Sequence, residues 1–227
     1  MPNPVIDGVR RAAAVRKQAG IPQTSPVDVS WLAEELGLVV VRRPMPGGLS
    51  GMHYAHPKGR SFVAINSTER SLRQNFTLAH EIGHHLFDCD QTIVEALDDE
   101  GKTPVERRAN AFAANLLLPD AAIEDWKAAV RAKFDLDDVA RLAIRYQLSY
   151  EATLFRLKSA RVISDVDPFR DKTPMAPTLR NVLNASSEVA FEAPVALAKM
   201  ADEALERHII SQKRYSALLA DLDPSRE

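Results

Sequence analysis

Apolar residues recur at helical spacing along most of this chain, and one stretch switches to the shorter period of strands. Val5, Val9, Ala12 and Ala13 alternate with Arg10, Arg11, Arg16 and Lys17. That pattern predicts a helix over residues 5–19 with a solvated basic face, stopped by Gly20. Trp31, Leu32 and Leu36 predict a second helix over 26–36, with Pro26 in its first turn and Gly37 past its end. The segments 38–41, 50–56 and 61–65 read as strands separated by turn chemistry at 44–48 and 57–59. Leu72, Phe76, Ala79, Gly83 and Leu86 then return to helical spacing. Asn66 reads as the cap of that helix, with Glu69 three residues on. The acids after Phe87 oppose a helix C-terminus and predict a stop there. Residues 88–103 read as an acidic connection, either solvated or a rim for a basic partner. A second strong helix follows over 106–119, with Ala109, Phe112, Ala113 and Leu116 or Leu117 as its apolar stripe.

Beyond it, 136–146 and 150–161 predict a helix, a short turn and a helix, with Ser149 as cap. Residues 164–193 are richer in Pro, Ser, Asp and Thr and read as a linker, and 194–227 as a C-terminal helical extension. The resulting expectation is an α+β, predominantly helical chain. It divides into an N-terminal helix (1–25), a core with a small, mostly antiparallel sheet (26–134), a helix-turn-helix-like pair (135–163), the linker and the extension.

Composition narrows the function. With 227 residues the chain can bury a sizeable core. Its net charge of −2 gives no bulk electrostatic case for nucleic acid. Arg141, Arg145, Arg156, Lys158 and Arg161 give the helical pair local positive charge, but its turn lacks a glycine. Scaffolding or partner recognition is expected of it, not direct DNA binding. The single cysteine, Cys89, excludes an internal disulfide and suits a reducing compartment. No signal-peptide pattern and no membrane-length apolar run is present, so a cytoplasmic location is expected.

The chemistry concentrates in residues 76–85, which contain His80-Glu81-x-x-His84. Two histidines at i and i+4 share one helix face and can reach one zinc ion. Glu81, a quarter-turn round, can act on water without being a ligand. His-Glu-x-x-His is therefore a candidate peptide-hydrolysis site, with Glu81 as general base. A catalytic zinc usually takes a third protein ligand, and two carboxylates compete for that place. Asp90 stands six residues after His84, as in the long zinc motif, but Phe87 occupies the position where that motif needs glycine. Glu106 is the better candidate, because it opens the next helix and the many alanines there permit close packing. Asn110, one turn on, can hydrogen-bond a ligand imidazole. Of the sheet residues His53, Tyr54 and His56, one can point at the site and polarise a carbonyl. An edge strand is expected to hold the substrate backbone.

The run 76–85, followed by Glu106-x-x-Ala109-Asn110-x-Phe112-Ala113-x-x-Leu117-x-Pro119, resembles the ImmA/IrrE metallopeptidase family over roughly residues 26–163. The resemblance implies a zincin-like core and Zn2+ held by His80, His84 and Glu106, with Glu81 as catalytic base and Asp90 outside the metal site. It also implies a helix-turn-helix repressor as substrate, cleaved to derepress genes of stress response or mobile-element control. Two rivals stay open. One is a non-catalytic regulator with a closed zinc sphere, in which Asp90 or Cys89 is the fourth ligand. The other is a toxin-like protease of a toxin–antitoxin pair.

Overall fold

A computed structural model describes residues 3–45, 48–55, 60–88, 93–96, 103–130 and 134–184, and short pieces at 201–202, 204–206, 211–213 and 215–216. Helix α1 (Pro4–Gln18) starts where the Asn3 side chain accepts the Val5 amide at 3.0 Å. Helix α2 (Val29–Glu35) starts after Pro26, which lies outside it, and is capped by Asp28, whose carboxylate accepts the Ser30 and Trp31 amides at 2.9 and 3.1 Å. A carboxylate satisfies orphan amides that a first-turn proline cannot.

Strands β1 (Val39–Arg43), β2 (Leu49–Tyr54) and β3 (Phe62–Asn66) come next. A fourth strand, β4 (Ile93–Ala96), lies in the stretch read from sequence as an acidic connection. Its four residues carry little local signal and gain strand geometry from pairing with β2. The sheet order is β1-β3-β2-β4, with β1–β3 parallel and the two β2 pairings antiparallel, so the sheet is mostly antiparallel.

Helix α3 (Ser71–Phe87) packs on β2 and β3 with one face and on α4 (Pro104–Leu117) with another. It stops at Phe87 as expected, but its N-cap is Arg70, which makes no side-chain cap bond. Asn66 instead ties the strand ends together. Its Oδ1 accepts from the Thr68 and Met45 amides, and its Nδ2 donates to the Leu49 carbonyl at 2.8 Å. Gln74 holds the entry to α3, donating to the Glu69 carbonyl at 2.8 Å. Where α3 meets α4, a Cβ on Gly83 would lie 3.4 Å from Ala109 Cα. Small residues on both helices permit that approach.

Helix α1 lies along α4 more closely still. A Cβ on Gly8 would stand 2.4 Å from the Arg108 carbonyl oxygen. The basic face expected to be solvated is interrupted here, because Arg16 is fully buried. Its guanidinium donates to the carbonyls of Leu116, Pro22 (2.6 Å) and Ser25. Helix α5 (Asp120–Ala129), absent from the sequence reading, starts directly after Pro119.

The remaining pair, α6 (Leu136–Arg145) and α7 (Tyr150–Ser159), is joined by a turn in which Gln147 takes the left-handed φ of 57°. Thus the turn forms without the glycine usual at such a position. Asp135 and Asp138 form a capping box on α6, and Ser149 caps α7. The described part of 164–193 carries a short 3-10 turn (Asp167–Phe169) and α8 (Pro177–Asn184), which packs on α6. Val166, Met175 and Leu183 are buried there, so this part docks on the body. Among the described residues no helix is long and apolar enough to cross a membrane.

Candidate metal centre

The close packing of α3 on α4 sets the site. One turn before Ala109, α4 presents Glu106, and it faces the two histidines of α3. Glu106 Oε2 lies 3.1 Å from His80 Nε2, and Oε1 lies 3.4 Å from His84 Nε2. The two Nε2 atoms are 2.8 Å apart. One donor atom from each of the three residues falls within 4.8 Å of the others. His80, Glu81 and His84 are fully buried, and Glu106 is partly exposed. Burial by itself would raise the Glu106 carboxyl. Hydrogen bonding to the His80 and His84 rings, with a coulombic contribution from each, outweighs burial and holds it well below the usual carboxylate range.

The far side of each ring is also fixed. His80 Nδ1 lies 2.9 Å from Asn110 Oδ1, the contact expected from the one-turn spacing. His84 Nδ1 lies 3.2 Å from Asp88 Oδ2, and Arg108 donates to Asp88 Oδ1 at 2.6 Å. A carboxylate only accepts, so Nδ1 of His84 carries the proton and Nε2 presents its lone pair to the cluster. Arg108 in turn lies over the Phe87 ring, 5.0 Å from its centroid. Asp88 escaped the sequence reading as a functional residue. The signal was its position four residues after His84, on the same helix face.

These residues suit a divalent cation. Two imidazole nitrogens and a carboxylate converge on one point, and both rings are held in the tautomer that a ligand needs. Of the other candidate residues, His53 and Tyr54 are described. His53 is buried and faces α3, but its ring meets His85 edge-on at 5.5 Å. Tyr54, on the opposite face of β2, stacks on Phe62 at 5.0 Å. His56, Cys89 and Asp90 lie outside the described residues. Asn110 and Arg107 also line a groove of about 1090 Å³ between α1, α3, α4 and α7, bordered by Leu72, Phe76 and Phe155.

Two imidazoles from one helix turn and a carboxylate from the next helix define a metallopeptidase-type centre. The sequence relationships agree. Residues 33–158, more than half of the chain, match the peptidase M78 family, described as the IrrE N-terminal-like domain, and the chain belongs to that family. It is similar to the radiation response metalloprotease IrrE of Deinococcus radiodurans, 35% identical over 104 residues, which is 42% of this chain and 30% of that protein. The Deinococcus deserti protein of the same name is 41% identical over 68 residues, 28% of this chain and 24% of its own. The uncharacterized immunity region protein 2 of Bacillus phage phi105 is 28% identical over 109 residues, 47% of this chain and 67% of its own. The matches thus span under a third of either Deinococcus protein.

Proposed function

We propose that this chain is a zinc endopeptidase of narrow specificity whose substrate is a helix-turn-helix transcriptional repressor, acting in the cytoplasm. The observation that carries the reading is the convergence of His80, His84 and Glu106 within 4.8 Å, beside a buried Glu81. Zinc held by those three residues would supply a Lewis acid that acidifies water and polarises the scissile carbonyl. Asn110 and Asp88 hold the imidazoles in register, and Arg108 aims Asp88 by donating to its other oxygen. Glu81 takes the proton of the attacking water and delivers it to the departing amine, so the peptide C–N bond breaks as the new C–O bond forms. Of the two sheet edges among the described residues, β4 adjoins β2, the strand whose Gly51 lies against Glu81 of α3, and so is the edge suited to an extended substrate segment. The repressor assignment rests on the resemblance of residues 76–85 and 106–119 to the ImmA/IrrE family. A single cysteine agrees with the cytoplasmic setting.

The test is metal content and cleavage, measured on purified wild type, Glu81→Gln, Glu106→Ala and Asp90→Ala proteins. The substrate offered is a helix-turn-helix protein, sought among those encoded beside this gene. Glu81→Gln keeps zinc and loses cleavage by about 10²–10⁴-fold. Glu106→Ala loses most of the zinc, and Asp90→Ala keeps it. Zinc retained by Glu106→Ala and lost by Asp90→Ala would reverse the ligand assignment. Full activity of Glu81→Gln would end the general-base reading.

A further inference from the structure

The general base sits against a glycine that no other part of the site explains. Gly51, on β2, pairs with Ile65 of β3 on one side and Glu95 of β4 on the other. The β2–β4 register slips just before it, since Leu49 stands opposite Ala96 and Gly51 opposite Glu95. Ser50 is therefore the extra residue of a β-bulge, a feature that bends a strand and re-aims its next residues. Ser50 is buried, and its Oγ donates to Glu69 Oε1 at 2.7 Å, which pins the bulge to the segment leading into α3. The bulge thus fixes how closely β2 approaches the helix that carries Glu81.

That approach leaves no room for a side chain. A Cβ on Gly51 would lie 2.5 Å from Thr77 Cγ2, 2.8 Å from Glu81 Oε1 and 3.4 Å from Glu81 Cγ. The positive-φ glycines are Gly20, Gly37 and Gly48, so the backbone at Gly51 is one that alanine adopts without strain. Glycine is needed here for space alone. Thr77 precedes Glu81 by one helical turn, on the same face. Both are buried, so neither can yield toward solvent. Of the two, the Glu81 carboxylate is the more mobile group, at the end of the longer side chain.

We infer that Gly51 is a positioning residue, the bare backbone of β2 forming the wall that sets where the Glu81 carboxylate stands. This rests on the reading of Glu81 as general base. A methyl group at position 51 moves the carboxylate and leaves the metal ligands, about a quarter-turn or less away on α3 and across on α4, in place. A misplacement of about 1 Å lowers catalysis by about 10²-fold.

The experiment compares zinc-loaded wild type, Gly51→Ala, Glu81→Gln and the Gly51→Ala/Glu81→Gln double variant. Zinc affinity, kcat and KM are measured on a fluorogenic peptide library, and a crystal structure of Gly51→Ala is determined. Gly51→Ala is expected to hold zinc within about twofold of wild type, to keep its KM and to lose kcat about 10²-fold. Its carboxylate is displaced in the crystal. In the Glu81→Gln background the same substitution has little further effect, because its target is already gone. Adding Thr77→Ser to Gly51→Ala removes the tightest contact, so it secures a folded protein but does not return kcat. Wild-type kcat in Gly51→Ala with the carboxylate unmoved overturns the inference, and so does an equal loss with and without Glu81. If Glu81→Gln is itself fully active, the failure belongs to the general-base reading.

Discussion

Helix α4 is held at both ends by buried polar groups, and the two ends differ in the source of their positive charge. At the C-terminal end the chain supplies it. Arg16 gathers the carbonyls of Leu116, Pro22 and Ser25, and Arg156 takes that of Leu118 at 2.9 Å and the Asp120 carboxylate at 2.5 Å. Burial pulls the Arg16 guanidinium down to about 10, still charged at neutral pH, and a coulombic contribution from Tyr146 opposes the fall. Helix C-termini carry orphan carbonyls and partial negative charge, so two cations there complete the helix. At the N-terminal end Glu106 faces two imidazoles, and among the described residues its ion pairs are with those rings. A buried cluster whose acceptors already surround a side-chain cation is structural. One whose acceptors face each other requires a cation from solution.

The contrast can be broken most strongly at the self-sufficient end. Arg16→Met leaves three carbonyls short of a donor, that of Leu116 fully buried, and is expected to destabilise the protein by about 3–5 kcal/mol, read from urea unfolding. The metal end responds to the solution instead. Chelating zinc, present at a hundred times its dissociation constant, should remove about 2.7 kcal/mol of stability. The same increment should appear in Arg16→Met, because the two ends lie about 15 Å apart along the helix. A zinc increment that vanishes in Arg16→Met would show the two ends to be one unit. Next comes the outer support of His84. Asp88→Asn should weaken zinc binding about 10–100-fold in competition titrations while the unfolding midpoint of the zinc-free protein barely moves.

The smallest effect is a control that belongs to neither polar cluster. Burial, then Asp137 and Asp135, push the Tyr150 hydroxyl up to about 12, and it donates to the Phe169 carbonyl at 3.1 Å. A raised folded value means its stabilisation is complete below the unfolded value near 10 and fades as pH climbs toward 12. Wild type should therefore lose on the order of 1–2 kcal/mol over that window that Tyr150→Phe does not, with or without zinc. Equal alkaline loss in both proteins would remove Tyr150 as the cause.

What the sequence disclosed was what local periodicity can carry. The α3 and α4 helices, the first three strands and the His80–His84 pair announce themselves by spacing. Glu106 is favoured over Asp90 by its place at the start of an alanine-rich helix and by the family resemblance. The Asn110 contact came from one-turn arithmetic as well. What stayed hidden depends on distant partners. Strand β4 exists through β2, and the parallel β1–β3 pairing joins segments separated by a whole strand. Arg16 looked like one more basic residue on a solvated face, because nothing near it in sequence marks the carbonyl of Leu116, a hundred residues on. Asn66 had the right chemistry for a cap but used it on Met45, Thr68 and Leu49.

The close seat of Gly8 on the backbone of α4 has a practical corollary. The stretch shared with the IrrE N-terminal-like proteins begins at residue 33, after α1 has ended. A recombinant fragment cut to that outline would discard both the Gly8 contact and the guanidinium that closes the far end of α4. The boundary drawn by shared ancestry is therefore narrower than the piece of chain that can stand alone. Expression work on relatives should keep whatever helix precedes the recognisable region.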